Sequence, residues 1–158
     1  MASANTKFYK SDTMYRVHTQ EVENMGTDIR AFIEYKSKID NSWLCLGEFF
    51  IPRNYQMFSK MAGVRAENYD KLFSQRGLPE ALSMFVDGIY ESDKLYPDCC
   101  HSHSWLSADD LRVCINDYNS CSERDDIDDI VEYKAILASM NTFLENRYDV
   151  RIVFWFSL

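Results

Sequence analysis

The residues with the most chemical potential lie close together in the run Asp98-Cys99-Cys100-His101-Ser102-His103-Ser104-Trp105. A carboxylate, two thiols and two imidazoles are donor types that ligate zinc and related metals. An imidazole also exchanges protons near neutrality, because its ordinary pKa is about 6.5. The spacing supports neither use strongly. No C-x2-C or H-x3-H pattern is present, and adjacent Cys100 and His101 have no assignable third group to orient them as nucleophile and base. The run therefore reads as a polar loop in which Asp98 and Ser102 bond to local backbone and Trp105 anchors the segment to the core. If the loop is extended, His101 and His103 share a face. No metal and no cofactor is assigned, and His101 or His103 is kept as the catalytic acid or base of an alternative, hydrolytic reading.

Arginines supply a second set. Arg30, Arg53, Arg65 and Arg76 all fall in the first half of the chain, and the guanidinium fork suits phosphate and carboxylate while never losing its charge near neutrality. If the loops around Arg53, Arg65 and Arg76 converge on the histidine run, they form a pocket for an anion. Asp28, Arg30 and Glu34 occupy same-face positions of a strand, and the plainer reading of that trio is an ion-paired, half-solvated sheet face. The candidate ligand-binding set is thus Asp28, Arg30, Arg53, Arg65, Arg76, His101 and His103. No phosphate-binding glycine motif and no G-x-S-x-G specifies the ligand.

The elements that must position these residues follow from periodicity. Ile29, Ala31, Ile33 and Tyr35 alternate with Asp28, Arg30, Phe32 and Glu34, which predicts a strand. The polar stretch Ser37 to Ser42 predicts a turn into a partner strand from Trp43 to Ile51. Asn54 is positioned to cap a short helix that Gly63 ends. Pro79 suits the first turn of a second helix carrying Leu82, Phe85, Val86 and Ile89, with Gly77 supplying the preceding turn. Ser107 and Asp110 resemble a capping box for a third helix reaching about Asn116. Ile130, Tyr133, Leu137, Met140 and Leu144 form the apolar stripe of the longest helix, from near Ile127 to Asn146. The acids Asp125, Asp126, Asp128 and Asp129 fall at its start, where they complement the helix dipole. Val150, Ile152, Phe154 and Phe156 predict a closing strand, and Met14 to Glu21 a further candidate. The expected architecture is α+β, a small and mainly antiparallel sheet packed with several helices.

With 158 residues and aromatic residues spread throughout, the chain is expected to form a polar tail over 1–12 and a single domain over 13–158. No apolar run approaches the roughly 20 residues of a membrane span, and no secretory signal is expected. Five cysteines are an odd number, and two of them are adjacent, a pattern that favours reduced thiols and a cytoplasmic setting. The formal net charge of −8 argues against direct nucleic-acid binding, which relies on Lys and Arg displacing counterions.

Several segments occur in an order that resembles an uncharacterised family of small bacteriophage and bacterial proteins. They are Met25-Gly26-Thr27-Asp28-Ile29-Arg30 with Glu34 and Trp43, Arg53-Asn54-Tyr55 with Phe58, Ala62-Gly63-Val64-Arg65, Arg76-Gly77-Leu78-Pro79 and His101-Ser102-His103-Ser104-Trp105-Leu106. The resemblance covers about Met25 to Leu111. Members commonly carry Cys at the position of Thr27 and His at that of Arg30, so this chain departs from the pattern at two potential ligands. The resemblance implies a phage-type accessory protein acting in the host cytoplasm, with counter-defence as one setting. The expected function is non-enzymatic inhibition or sequestration, with a nucleotide-like small molecule or a host protein as partner and oligomerisation left open. The alternatives are a phosphoester or nucleotide hydrolase using the histidine run and an acidic mimic of nucleic acid.

Overall fold

In a computed structural model of the chain, residues 26–96, 98–121 and 130–158 are described. The predicted tail, the candidate strand Met14 to Glu21 and the Asp125 to Asp129 run lie outside them. Within the described residues the elements are β1 (Asp28–Lys36), β2 (Trp43–Phe49), α1 (Tyr55–Ala62), a 3-10 turn (Ala66–Asn68), α2 (Met84–Asp93), β3 (His101–Leu106), α3 (Ala108–Ser120), α4 (Val131–Glu145) and β4 (Val150–Ser157). The four strands form one sheet in the order β2-β1-β4-β3, with every neighbouring pair antiparallel. The α+β expectation holds.

Strand β4 is central, and Val150 through Phe156 are all buried, as a strand covered on both faces requires. On the first face Ile29, Ala31, Ile33, Ile152, Phe154 and Phe156 pack against α1, α3 and α4. On the second, Phe32, Val153 and Trp155 pack against Val86, Ile89 and Tyr90 of α2. The alternation read from β1 therefore assigns its residues to the correct faces.

Helix α1 begins where Asn54 predicts. Its side-chain oxygen accepts from Met57 N at 2.9 Å, while its amide nitrogen donates to the Tyr118 hydroxyl on α3 at 3.3 Å. At the other end Gly63, with φ 67°, closes the helix in the left-handed conformation that glycine adopts without steric cost. Asn54→Ala is expected to cost about 1–2 kcal/mol, because a buried cap and a cross-helix bond are lost together. Urea unfolding should show Asn54→Ser, which keeps a capping oxygen, losing clearly less.

Three expectations need correction. Helix α2 starts at Met84 and not near Pro79, because Ser83 caps it through its hydroxyl to Val86 N at 3.3 Å. Helix α3 has the capping box formed by Ser107 and Asp110 but extends past Asn116 to Ser120. The histidine run is a strand and not a loop. Its polar residues become β3 because β4 offers it an unpaired edge, a tertiary influence that outweighs local preference.

Candidate functional site

Strand β3 carries a bulge. His101 sits opposite Phe156 and Ser104 opposite Phe154, so β3 advances three residues while β4 advances two. Ser102 absorbs the extra residue with φ 53°. The consequence overturns the shared-face expectation for the two histidines. The His101 ring stacks on Phe156, on the first face, at 6.2 Å between centroids. The His103 ring meets Tyr90 of α2 edge-on, on the second face, at 5.7 Å.

On the first face, His101 shares a cavity of about 320 Å³ with Thr27, Gly63, Val64, Arg65, Gln75, Ser102 and Leu158. Each polar group arrives from a different direction. Thr27 leads into β1, Arg65 follows the α1 cap, Gln75 belongs to the long loop before α2, and His101 and Ser102 form the β3 bulge. Arg65 Nε donates to Thr27 Oγ1 at 3.0 Å, and its guanidinium lies 5.7 Å from the centre of the Tyr55 ring. His101 Nδ1 is 3.0 Å from Ser102 Oγ, whereas its Nε2 is buried with no hydrogen-bond partner. An unsatisfied buried nitrogen is uncommon enough to call for a ligand or ordered water. Among the described residues, Arg65, with φ 55°, and Ser102 are two of the four non-glycine residues in the left-handed region, where side chains carry a backbone cost.

Among the described residues that line the cavity, none has an acidic side chain. Burial pulls the His101 pKa below its ordinary value, with the Arg65 charge and His103 adding in the same direction, as desolvation and like charge both disfavour the imidazolium. An arriving anion would reverse both influences of charge.

The other arginines do not converge there. Arg53 is held by Asp28, with Nε to Oδ1 at 2.5 Å and Nη2 to Oδ2 at 2.8 Å, and that hydrogen-bonded contact keeps the Asp28 carboxyl below its usual range. Arg76 donates to Asp110 at 2.8 Å and lies over the Trp105 ring at 5.0 Å. Arg30 is on the second face, bonded to Glu48 and Asp93 at 2.7 and 2.8 Å. The trio Asp28, Arg30 and Glu34 is ion-paired as expected, but with outside partners, and Glu34 is fully buried rather than half-solvated. Of the seven predicted ligand-binding residues, the cavity gathers Arg65 and His101.

The sequence matches no protein-family model and no curated protein, and the fold matches no solved structure. The chemistry must be read from the cavity.

Metal and thiol chemistry find little to work with. Among the described residues no group of three or more His, Cys, Asp or Glu side chains is arranged to hold a metal ion. The five cysteines are unpaired thiols. Burial, helped by the Asp93 charge, pushes Cys100 up to about 11, so it stays protonated near neutrality and is a poor nucleophile.

Sequence reasoning missed Gln75, Ser102 and Gly63 as cavity residues. Gly63 and Val64-Arg65 were legible as a helix end, but nothing in their spacing indicates what they face. A larger apolar groove of about 1230 Å³ lies between β2 and α2, lined by Trp43, Cys45, Leu82, Phe85 and Ile89 among others. Its described lining residues include no charged side chain and none of the candidate residues. The smaller cavity is the better chemical site because its cationic and donor groups converge. No helix among the described residues is long and apolar enough to cross a membrane.

Proposed function

We propose that the protein binds a small anionic ligand, of the phosphate-bearing, nucleotide-like class, in the Arg65–His101 cavity, and acts by sequestering it. The observation that carries this reading is the buried, unpartnered His101 Nε2 beside the Arg65 guanidinium, in a cavity to which the described residues contribute no acidic side chain. Such a site has donors and positive potential already assembled, so an anion gains charge-assisted bonds without extensive reorganisation. Retention without turnover is favoured over hydrolysis because His103 faces the opposite side of the sheet and His101 alone of the two reaches the cavity, without a partner of complementary role at the bound ligand among the described residues. The phage-type resemblance adds a host-directed setting for such sequestration.

Sulfate is a suitable probe because its charge stays fixed across the range in which histidine titrates. Isothermal titration should detect sulfate binding, and Arg65→Ala should weaken it by about tenfold or more, the scale of one charge-assisted bond. Affinity should also rise as pH falls toward the pKa of His101, which burial and the Arg65 charge hold below the ordinary histidine value. The sign follows from linkage: the empty site depresses the His101 pKa, the bound anion raises it, and binding therefore takes up a proton. His101→Gln should flatten that profile. Sulfate affinity unchanged by Arg65→Ala would overturn the proposal.

A further inference from the structure

A second concavity of about 320 Å³ adjoins the first and is lined by Ala62, Gly63, Lys71, Ser74 and Gln75. Gly63 and Gln75 belong to both linings, so the two hollows meet across a ridge formed by the end of α1 and the following long loop. Lys71 lies over that ridge. A Cβ built on Gly63 would come within 2.4 Å of the Lys71 Cδ, which shows the lysine stem occupying the space that a side chain at position 63 would fill. The loop bearing Lys71 is anchored on both sides. Ser59 Oγ donates to the carbonyls of Tyr69 and Asp70 at 3.1 and 3.4 Å, and Phe73 N donates to the Lys60 carbonyl at 3.0 Å.

The second lobe repeats the chemistry of the first. The described residues lining it offer an ammonium, a hydroxyl and an amide, and no acidic side chain. Lys71 takes part in none of the ion pairs among the described residues. Two donor-rich hollows that meet at one glycine, with no acidic side chain among their described lining residues, suit a ligand whose two anionic groups are joined by a short bridge.

We propose that the two hollows are one bilobed site, with Arg65 and His101 receiving one phosphate and Lys71, with Ser74, receiving a second phosphate linked to it. The ligand class is therefore a diphosphate, whether free pyrophosphate or the diphosphate of a nucleotide. This inference rests on the anion-binding reading of the first lobe. Gly63 serves both lobes, since its φ of 67° turns the chain and its missing side chain lets Lys71 cross the ridge.

The test is isothermal titration of the full chain with inorganic phosphate and with pyrophosphate, near neutral pH and fixed ionic strength. Pyrophosphate should bind about tenfold or more tightly than phosphate. Lys71→Ala should abolish that advantage while leaving phosphate affinity unchanged, and Arg65→Ala should weaken both. Lys38→Ala, which removes a lysine bonded instead to the Asn146 carbonyl, should leave the advantage intact and so controls for net charge. Phosphate binding with no pyrophosphate advantage, or an advantage that survives Lys71→Ala, would overturn the bilobed site and leave the single-anion reading standing. Binding of neither compound would overturn both.

Discussion

Arg151→Ala is expected to destabilise the protein by about 3–5 kcal/mol, the cost of leaving a buried charge without its partner. Arg151 lies on central strand β4, and its Nε and Nη2 donate to Glu34 Oε2 on β1 at 2.9 and 2.7 Å. The same guanidinium donates to the Ala81 carbonyl and stacks over the Trp43 ring at 3.7 Å. The other Glu34 oxygen accepts from Ser83 N at 2.7 Å, and Ser83 is the residue that caps α2. One ion pair therefore ties the middle of the sheet to the loop that sets the start of a helix. Removing Arg151 leaves the Glu34 carboxylate, fully buried, with the Ser83 amide as its remaining bond among those described.

The design of the experiment follows from the same reasoning. A buried pair is costly to break from one side but often inexpensive to replace whole by apolar residues of similar volume. Glu34→Leu combined with Arg151→Met should thus recover part of the loss seen in Arg151→Ala, as measured by urea unfolding. Sulfate affinity should be unchanged in folded Arg151→Ala, because the pair faces α2 and the Arg65–His101 cavity lies on the other face. A single-variant loss below about 1 kcal/mol would show that water reaches the pair, as at an exposed ion pair.

Much of this architecture was legible because its signals are local. Strand β1 alternates with period two, Asn54 and Gly63 mark both ends of α1, and Ser107 with Asp110 marks the start of α3. Each signal acts within a few residues, so the sequence carries it directly. Helix α2 was misplaced because Pro79 and Ser83 are both acceptable starts, and what selects Ser83 is Glu34, 49 positions earlier. Strand β3 was illegible for a similar reason. His-Ser-His-Ser has little intrinsic preference for a strand, and pairing with β4 confers it.

The candidate site was legible in kind but not in membership. Arginine and histidine announced anion chemistry, yet Arg30, Arg53 and Arg76 are neutralised by Asp93, Asp28 and Asp110, partners distant in sequence. The bulge at Ser102 mattered most. One inserted residue reverses the side to which every later side chain points, and it separated His101 from His103 despite their ideal spacing for a shared face.

The second large effect concerns Trp155, where alanine is expected to cost about 3–5 kcal/mol. Trp155 is fully buried, stacks on Phe32 at 5.0 Å and meets Tyr90 edge-on at 5.6 Å. Its indole nitrogen donates to Asp93 Oδ2 at 2.9 Å, and Asp93 also receives Arg30. Among the described residues the core on this face has few members, with Val86, Val153 and Phe32 the other fully enclosed ones. Such a cluster has little material with which to close a cavity. Trp155→Phe keeps a ring in place and leaves Asp93 bonded to Arg30, so its cost should be nearer about 1–2 kcal/mol. Hydrogen exchange should locate the damage: in Trp155→Ala, amides of α2 should lose protection before those of α3, which packs on the opposite face. Equal costs for the two substitutions, or uniform loss of protection across both helices, would mean that α2 is held to the sheet by contacts other than Trp155.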